Sequence, residues 1–215
     1  MPAPERRRQR RTQVERSAET IAKLLDATID AIVEVGYSGA TVREICDRAG
    51  VSQGGLFRHF PTRRDLVVAA VERLSQVQLD QLTGLLRSRP ETTRPDALQR
   101  LRVVRATLRE PRSLAFLEVL LAARTEPELM ENLQAVLARQ DEALRAAIST
   151  HPLFANLSSS SQRVWLDISR RMLEAESLWQ AAVPDPELDD AKLEALVTLL
   201  TVLEDAADWT GDRSG

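Results

Sequence analysis

The chain has 215 residues, 43% hydrophobic and 28% charged, with a net charge of −3, which is enough for a sizeable core and one or two domains. Its single cysteine excludes an internal disulfide, and with only two histidines it leaves no zinc-ligand spacing. Apolar runs such as 66–71 are far too short to span a bilayer, and the opening PAPERRRQRRT lacks the apolar centre of a secretory signal, so a cytoplasmic protein with no membrane partner is expected.

Charge is uneven along the chain. Residues 1–75 hold 13 basic and 10 acidic residues, a balance of +3, and the remainder carries −6. A basic N-terminal third beside an acidic remainder suits a chain with one part facing nucleic acid. Arg6, Arg7, Arg8, Arg10 and Arg11 form a basic arm over residues 1–16, suited to lie along phosphates or enter a minor groove. Ile21, Leu24, Leu25, Thr28, Ile29, Ile32 and Val33 then make a wide helical stripe ending at Gly36, with Tyr37 expected to pack on it.

Residues 41–60, TVREICDRAGVSQGGLFRHF, read as two short helices across a tight turn. Thr41 and Glu44 have capping-box spacing, and Val42, Ile45, Cys46 and Ala49 repeat at i, i+3, i+4 and i+7. Gly50 stands where a helix end needs positive φ. Ser52 can cap the second helix, which buries Leu56 and Phe60. Gly54 and Gly55 inside that helix each cost about 1 kcal/mol relative to Ala, so close approach of a partner backbone is expected there. Ser52, Gln53, Arg58 and His59 are groups suited to base edges and phosphates. The alternative is an αα-corner kept only for structure.

Pro61 interrupts the chain, Thr62 and Asp65 offer another capping box, and a long helix is expected over 63–88. Its start, with Thr62, Arg63 and Arg64, presents amides and cations to an anion. After the break RPETTRP come helices near 95–109, 112–124 and 127–149, with Pro111 and Pro127 in first-turn positions. Ser159 and Gln162 are expected to cap a helix reaching about 183. PDPELDD reads as a break before a last helix over 192–209. The final two helices are apolar on more than one side, so they need partners on more than one side.

The run from Ile21 to Val71 resembles the DNA-binding domain of the TetR family of bacterial transcription regulators. The resemblance is carried by Gly36-Tyr37, Thr41-Val-Arg-Glu-Ile, Ala49-Gly50-Val51-Ser52, Leu56-Phe57-Arg58-His59-Phe60 and Thr62-Arg63-Arg64-Asp65-Leu66. It implies an all-α fold of about nine helices: a three-helix helix–turn–helix domain over 17–62 and a helical ligand-binding and dimerisation domain over 63–215. It also implies a homodimer reading a palindromic site in double-stranded DNA, most simply as a repressor released by a small-molecule effector. Gln53, Gly54, Gly55 and Arg58 would read bases, while Thr41, Arg43, Ser52, His59, Thr62, Arg63 and Arg64 would grip phosphates. Where this family usually carries a tyrosine whose hydroxyl reaches a phosphate, this chain has Phe57, which can only pack.

The same resemblance places an effector pocket among the middle helices, with Leu117, Leu121, Met130 and Trp165 as apolar lining and Arg124 as a polar anchor. Trp165, Ile168, Met172, Trp179, Leu196, Leu200 and Leu203 would form the face that meets a twin subunit. Nothing in the sequence points to catalysis, a metal or a cofactor: there is no Ser/His/Asp set and no glycine-rich phosphate loop. Rival readings are a DNA-binding dimer with no effector, and a helical ligand carrier with a relict helix–turn–helix.

Overall fold

A computed structural model describes residues 13–88, 93–180 and 182–211; the arginines of the N-terminal arm lie outside them. Nine α-helices and one 3-10 turn account for the regular structure among the described residues, with no strand. Two compact units divide the chain, one reaching Ala70 and one beginning at Val71.

The first unit is built on α1 (Gln13–Gly39), which is broken at Gly36, where φ is 76°. That left-handed geometry is why glycine stands there. The stripe expected from the sequence buries Leu24, Leu25, Ile29 and Ile32, and Tyr37 is buried after the break. Helix α2 (Val42–Ala49) starts at Thr41, whose side chain accepts from the Glu44 amide at 3.2 Å. The reciprocal half of the expected capping box does not form. The Glu44 carboxylate instead accepts from Arg48 Nε at 2.7 Å, and Arg48 also pairs with Glu34 of α1 at 2.8 Å. These two carboxylates hold the Arg48 guanidinium more firmly protonated than usual.

Gly50 ends α2 in the left-handed region (φ 63°), and its amide donates to the Cys46 carbonyl. Cys46 is buried, which pushes its thiol up in pKa, with Asp47 adding to the shift. Helix α3 (Gln53–His59) follows, capped by Ser52 Oγ accepting from the Gly55 amide at 3.1 Å. Leu56 is wholly buried. Helix α4 (Arg63–Ser88) begins with a complete capping box: Thr62 N donates to Asp65 Oδ2 at 3.0 Å, and Asp65 N to Thr62 Oγ1 at 3.1 Å.

In the second unit, α5 (Arg94–Leu108), α6 (Pro111–Ala123) and α7 (Pro127–Ser149) begin where first-turn prolines signal them. Helix α8 (Ser159–Trp179) is capped by Ser158, one residue before the expected Ser159. Gln162 reaches back to the carbonyls of Phe154 and Leu157 rather than closing a box. The helix ends at Trp179, short of the expected 183, and the Ala182 amide turns back to the Trp179 carbonyl at 3.0 Å, only three residues away. Helix α9 (Pro186–Gly211) starts six residues earlier than 192. PDPELDD is a helix start: Asp185 Oδ1 accepts from the Leu188 amide at 3.0 Å, and Pro186 takes the first helical position.

The core of this unit gathers Leu101, Leu144, Ile148, Phe154, Trp165, Leu173, Leu193 and Leu196. Trp165 Nε1 donates to the Leu196 carbonyl at 2.9 Å, tying α8 to α9. A charged cluster clamps α5 to the same two helices. Arg109 pairs with Glu176 and with Asp189 at 2.6 Å, and Lys192 with Asp189 at 3.1 Å. Arg105 pairs with Asp190 at 2.8 Å. Burial alone would raise the Asp189 carboxyl, but Arg109 and Lys192 outweigh it and hold the group below the usual carboxylate range. The hydrogen bond from Arg105 does the same for Asp190.

Candidate functional site

Helix α3 carries two faces with different duties. Leu56 is buried, whereas Ser52, Gln53, Gly54, Phe57 and Arg58 are exposed together on the outward side. Gln53 and Phe57 are four residues apart, as are Gly54 and Arg58, so each pair shares a strip of surface. His59 is half-buried. Phe57 keeps 46% of its surface exposed, an apolar ring set among the polar groups of the outward face.

The two glycines divide in purpose. A Cβ on Gly54 would meet nothing within 4 Å, but one on Gly55 would stand 3.0 Å from Val51 Cγ1 and 3.3 Å from Ser52 Oγ. Gly55 is therefore explained by the tight cap under the helix. Gly54 has no packing reason within the protein and stays open to a partner.

Of the residues expected to grip phosphates, Thr41, Arg43, Ser52 and Thr62 are exposed, and Arg64 is half-buried. Arg43 Nε lies 3.7 Å from Asp47 Oδ2, with both side chains largely in solvent. Thr62 Oγ1 donates to Asp65. Arg63 departs from expectation: its Nε donates to the Ala40 carbonyl at 2.8 Å, its Nη2 to the Tyr37 carbonyl, and its guanidinium lies over the Tyr37 ring. The phosphate role is corrected to a brace, because these contacts commit the guanidinium to the segment after Gly36. Arg48, holding α1 to α2, was also missed. Its signal is the Glu44–Arg48 spacing of four, which places the two side chains on one helix face.

The second unit holds a partly open cavity of about 180 Å³. Leu79, Leu101, Phe116, Leu117, Trp165 and Leu173 stand among its apolar walls, with Arg100, Gln140, Arg170 and Glu174 among its polar groups. Of the residues expected to line an effector pocket, Leu117 and Trp165 are among those that line this cavity. Leu121, 59% exposed, and Arg124, also exposed, lie on the outer side of α6 and its end, while Met130 is half-buried away from the cavity. These three are corrected: the helical phase carries them off the lining. Arg100, 5% exposed, was overlooked, because an arginine within a helical repeat reads as solvent-facing.

Among the residues expected to meet a twin, Ile168 and Trp179 are exposed, the latter by 65%, and Met172 and Leu203 are half-buried. Trp165, Leu196 and Leu200 are corrected to core, since all three are buried within the subunit. The outward apolar groups of α8 and α9 are instead Val164, Ile168, Leu178, Trp179, Leu188 and Val202. None of the helices described is long and apolar enough to cross a membrane.

An all-helical chain with an outward, polar second helix on a tight turn belongs to the class of helix–turn–helix DNA-binding proteins. Residues 24–70 match the family model for bacterial regulatory proteins of the tetR family. The chain is 33% identical over 191 residues to the uncharacterized HTH-type transcriptional regulator Rv2912c of Mycobacterium tuberculosis, covering 89% of this chain and 97% of that one. It is 38% identical over 87 residues to the HTH-type transcriptional regulator CymR of Pseudomonas putida, covering 40% and 41% of the two chains. The fold matches a TetR-family regulator from Mesorhizobium loti, with a TM-score of 0.68 and 16% identity over 89% of this chain and 98% of that one. It also matches the multidrug binding protein EbrR solved with ethidium, with a TM-score of 0.63 and 21% identity over 84% of this chain and 98% of that one. This chain belongs to the tetR family and is an HTH-type transcriptional regulator.

Proposed function

We propose that the chain is a cytoplasmic homodimeric repressor that binds a palindromic operator and is released by a small-molecule effector. The observation that carries the DNA reading is the division of α3, with Leu56 buried and Gln53, Gly54 and Arg58 exposed. Arg58 and Gln53 are suited to bidentate contacts with guanine and adenine edges, and Gly54 admits close approach. Thr41, Arg43, Ser52, His59, Thr62 and Arg64 lie on or beside the same helices and suit backbone contacts that fix register.

Dimerisation is supported by the exposed apolar groups on α8 and α9. A single short helix covers too few bases for tight recognition, whereas a pair about 34 Å apart reads successive major grooves. The cavity supports a ligand-responsive second unit, and EbrR, of like fold, was solved with ethidium. An effector that prefers a conformation with wrongly spaced reading helices lowers the DNA-bound population. Its effect is limited by its differential affinity for the two states.

A gel-shift titration of operator DNA with and without candidate effectors tests this reading. Loss of the shifted band on adding effector supports it. A band unmoved by any ligand shown to bind the protein favours the rival reading, a DNA-binding dimer without an effector.

A further inference from the structure

We infer that Phe57 is a base-reading residue, whose ring meets the 5-methyl group of a thymine in the major groove. This rests on the DNA-binding role proposed for α3, and it gives a specificity to a side chain that the polar contacts leave out. Among the described aromatic rings of the first unit, Tyr37 is buried and Phe60 half-buried, whereas Phe57 keeps 46% of its surface exposed. Its neighbours on that face, Gln53, Gly54 and Arg58, are exposed as well. A single exposed apolar group is ordinary on a protein surface. One in the middle of a face suited to base edges is buried whenever that face is used, and burial of the ring is favourable only against hydrocarbon.

The chemistry of the groove selects the target. A phenyl ring has neither donor nor acceptor, so it cannot hold a phosphate. Pressed on a base nitrogen or oxygen, it would strip that atom of water without a replacement bond. The major-groove edges of guanine, adenine and cytosine are read through such atoms, whereas thymine adds its methyl group. The position follows from helix geometry. Gln53 and Phe57 are four residues apart on one strip, about 6 Å along the helix axis, and successive bases of a strand are about 3.4 Å apart. The thymine therefore lies within about two base steps of the pair that Gln53 contacts. At Gly54 a Cβ would meet nothing within 4 Å, so the same turn of helix is free to come close enough for a methyl contact.

Binding of the full chain to the operator recovered from a random DNA pool, remade with deoxyuridine in place of each thymine in turn, tests this, because uracil lacks only the methyl group. At one thymine of a half-site the exchange should weaken binding about fourfold, as loss of one buried methyl-sized group allows, and about fifteenfold when both half-sites are changed. Phe57→Ala should bind the thymine and uracil operators alike, while keeping base preference at the position that Arg58→Ala relaxes. Leu56, not Phe57, is the wholly buried residue of the helix, so the variant keeps its anchor. An operator with no thymine in common, or a loss on uracil exchange that persists in Phe57→Ala, would overturn the inference. So would a Phe57→Ala variant that loses preference at every position, since that marks a misplaced helix. A uracil scan of the unaltered chain that shows no loss anywhere overturns it without any variant. If the pool yields no operator, the DNA-binding role itself fails and this inference with it. If it yields one that ignores the methyl, the DNA-binding role stands and this inference alone fails.

Discussion

The Arg63 guanidinium sits 4.4 Å from the centroid of the Tyr37 ring and donates to the Tyr37 carbonyl as well. With its third contact at the Ala40 carbonyl, it holds the segment that leads from the break at Gly36 into α2. Replacing Arg63 by Ala should lower the stability of the first unit by about 1–3 kcal/mol, the cost of leaving part-buried carbonyls without their charged donor. Arg63→Lys should recover little, since an ammonium cannot reproduce the planar fork. Denaturant unfolding measures the loss. DNA binding by folded Arg63→Ala should keep its salt dependence, whereas Arg64→Ala should flatten the slope by about one ion.

Adjacent glycines should behave oppositely. Gly54→Ala has room for its methyl and should stabilise the helix by up to about 1 kcal/mol, while weakening operator binding through the lost close approach. Gly55→Ala presses on Val51 Cγ1 and should gain less, or destabilise. Thermal unfolding paired with operator titration distinguishes the two, and a Gly54→Ala variant binding DNA as the unaltered chain does would remove the reason given for that glycine.

Arg58→Ala should cost about 1–3 kcal/mol of operator binding and relax base preference at one position of each half-site. Arg43→Ala should weaken all sequences alike, as loss of a backbone contact does. Binding to a panel of single-base operator variants measures both. An equal loss of preference from the two substitutions contradicts the roles assigned to them.

The carboxylates at the start of α9 set a dependence on acid. Asp189 and Asp190 are held below the usual range by Arg109, Lys192 and Arg105, so the folded state binds protons less readily than the unfolded chain there. Their contribution to stability is present above about pH 4, the ordinary carboxyl range. It is lost as pH falls through their depressed values. Arg109→Ala leaves Glu176 and Asp189 without their shared guanidinium and should cost about 3 kcal/mol or more at neutral pH. The acid slope of stability should become shallower in the variant, measured by denaturant unfolding at a series of pH values.

Much of the first unit was legible because its signals are local. Gly36 and Gly50 mark positive φ, Ser52 caps α3, and the Thr62–Asp65 box opens α4, each within four residues of its partner. What escaped depends on distant or competing partners. Arg63 reaches back 26 residues to Tyr37, and Glu44 chooses Arg48 over its own capping box. In PDPELDD, two prolines read as a break, although the second is a first-turn proline behind a capping Asp185. Apolar periodicity showed that α8 and α9 bury several sides but not which residue faces which side. Trp165, Leu196 and Leu200 therefore turned out to be core. Arg100 was invisible because burial of a charge is decided by the surrounding helices, not by its own.

Selection of bound DNA from a random pool, with the recovered site then titrated against Arg58→Ala, tests most directly that the outward face of α3 reads DNA in pairs. The expected result is an inverted repeat with half-sites about one helical turn apart, its base preference relaxed in the variant. Recovery of no common sequence, or a single unrepeated site read equally well by Arg58→Ala, would contradict it.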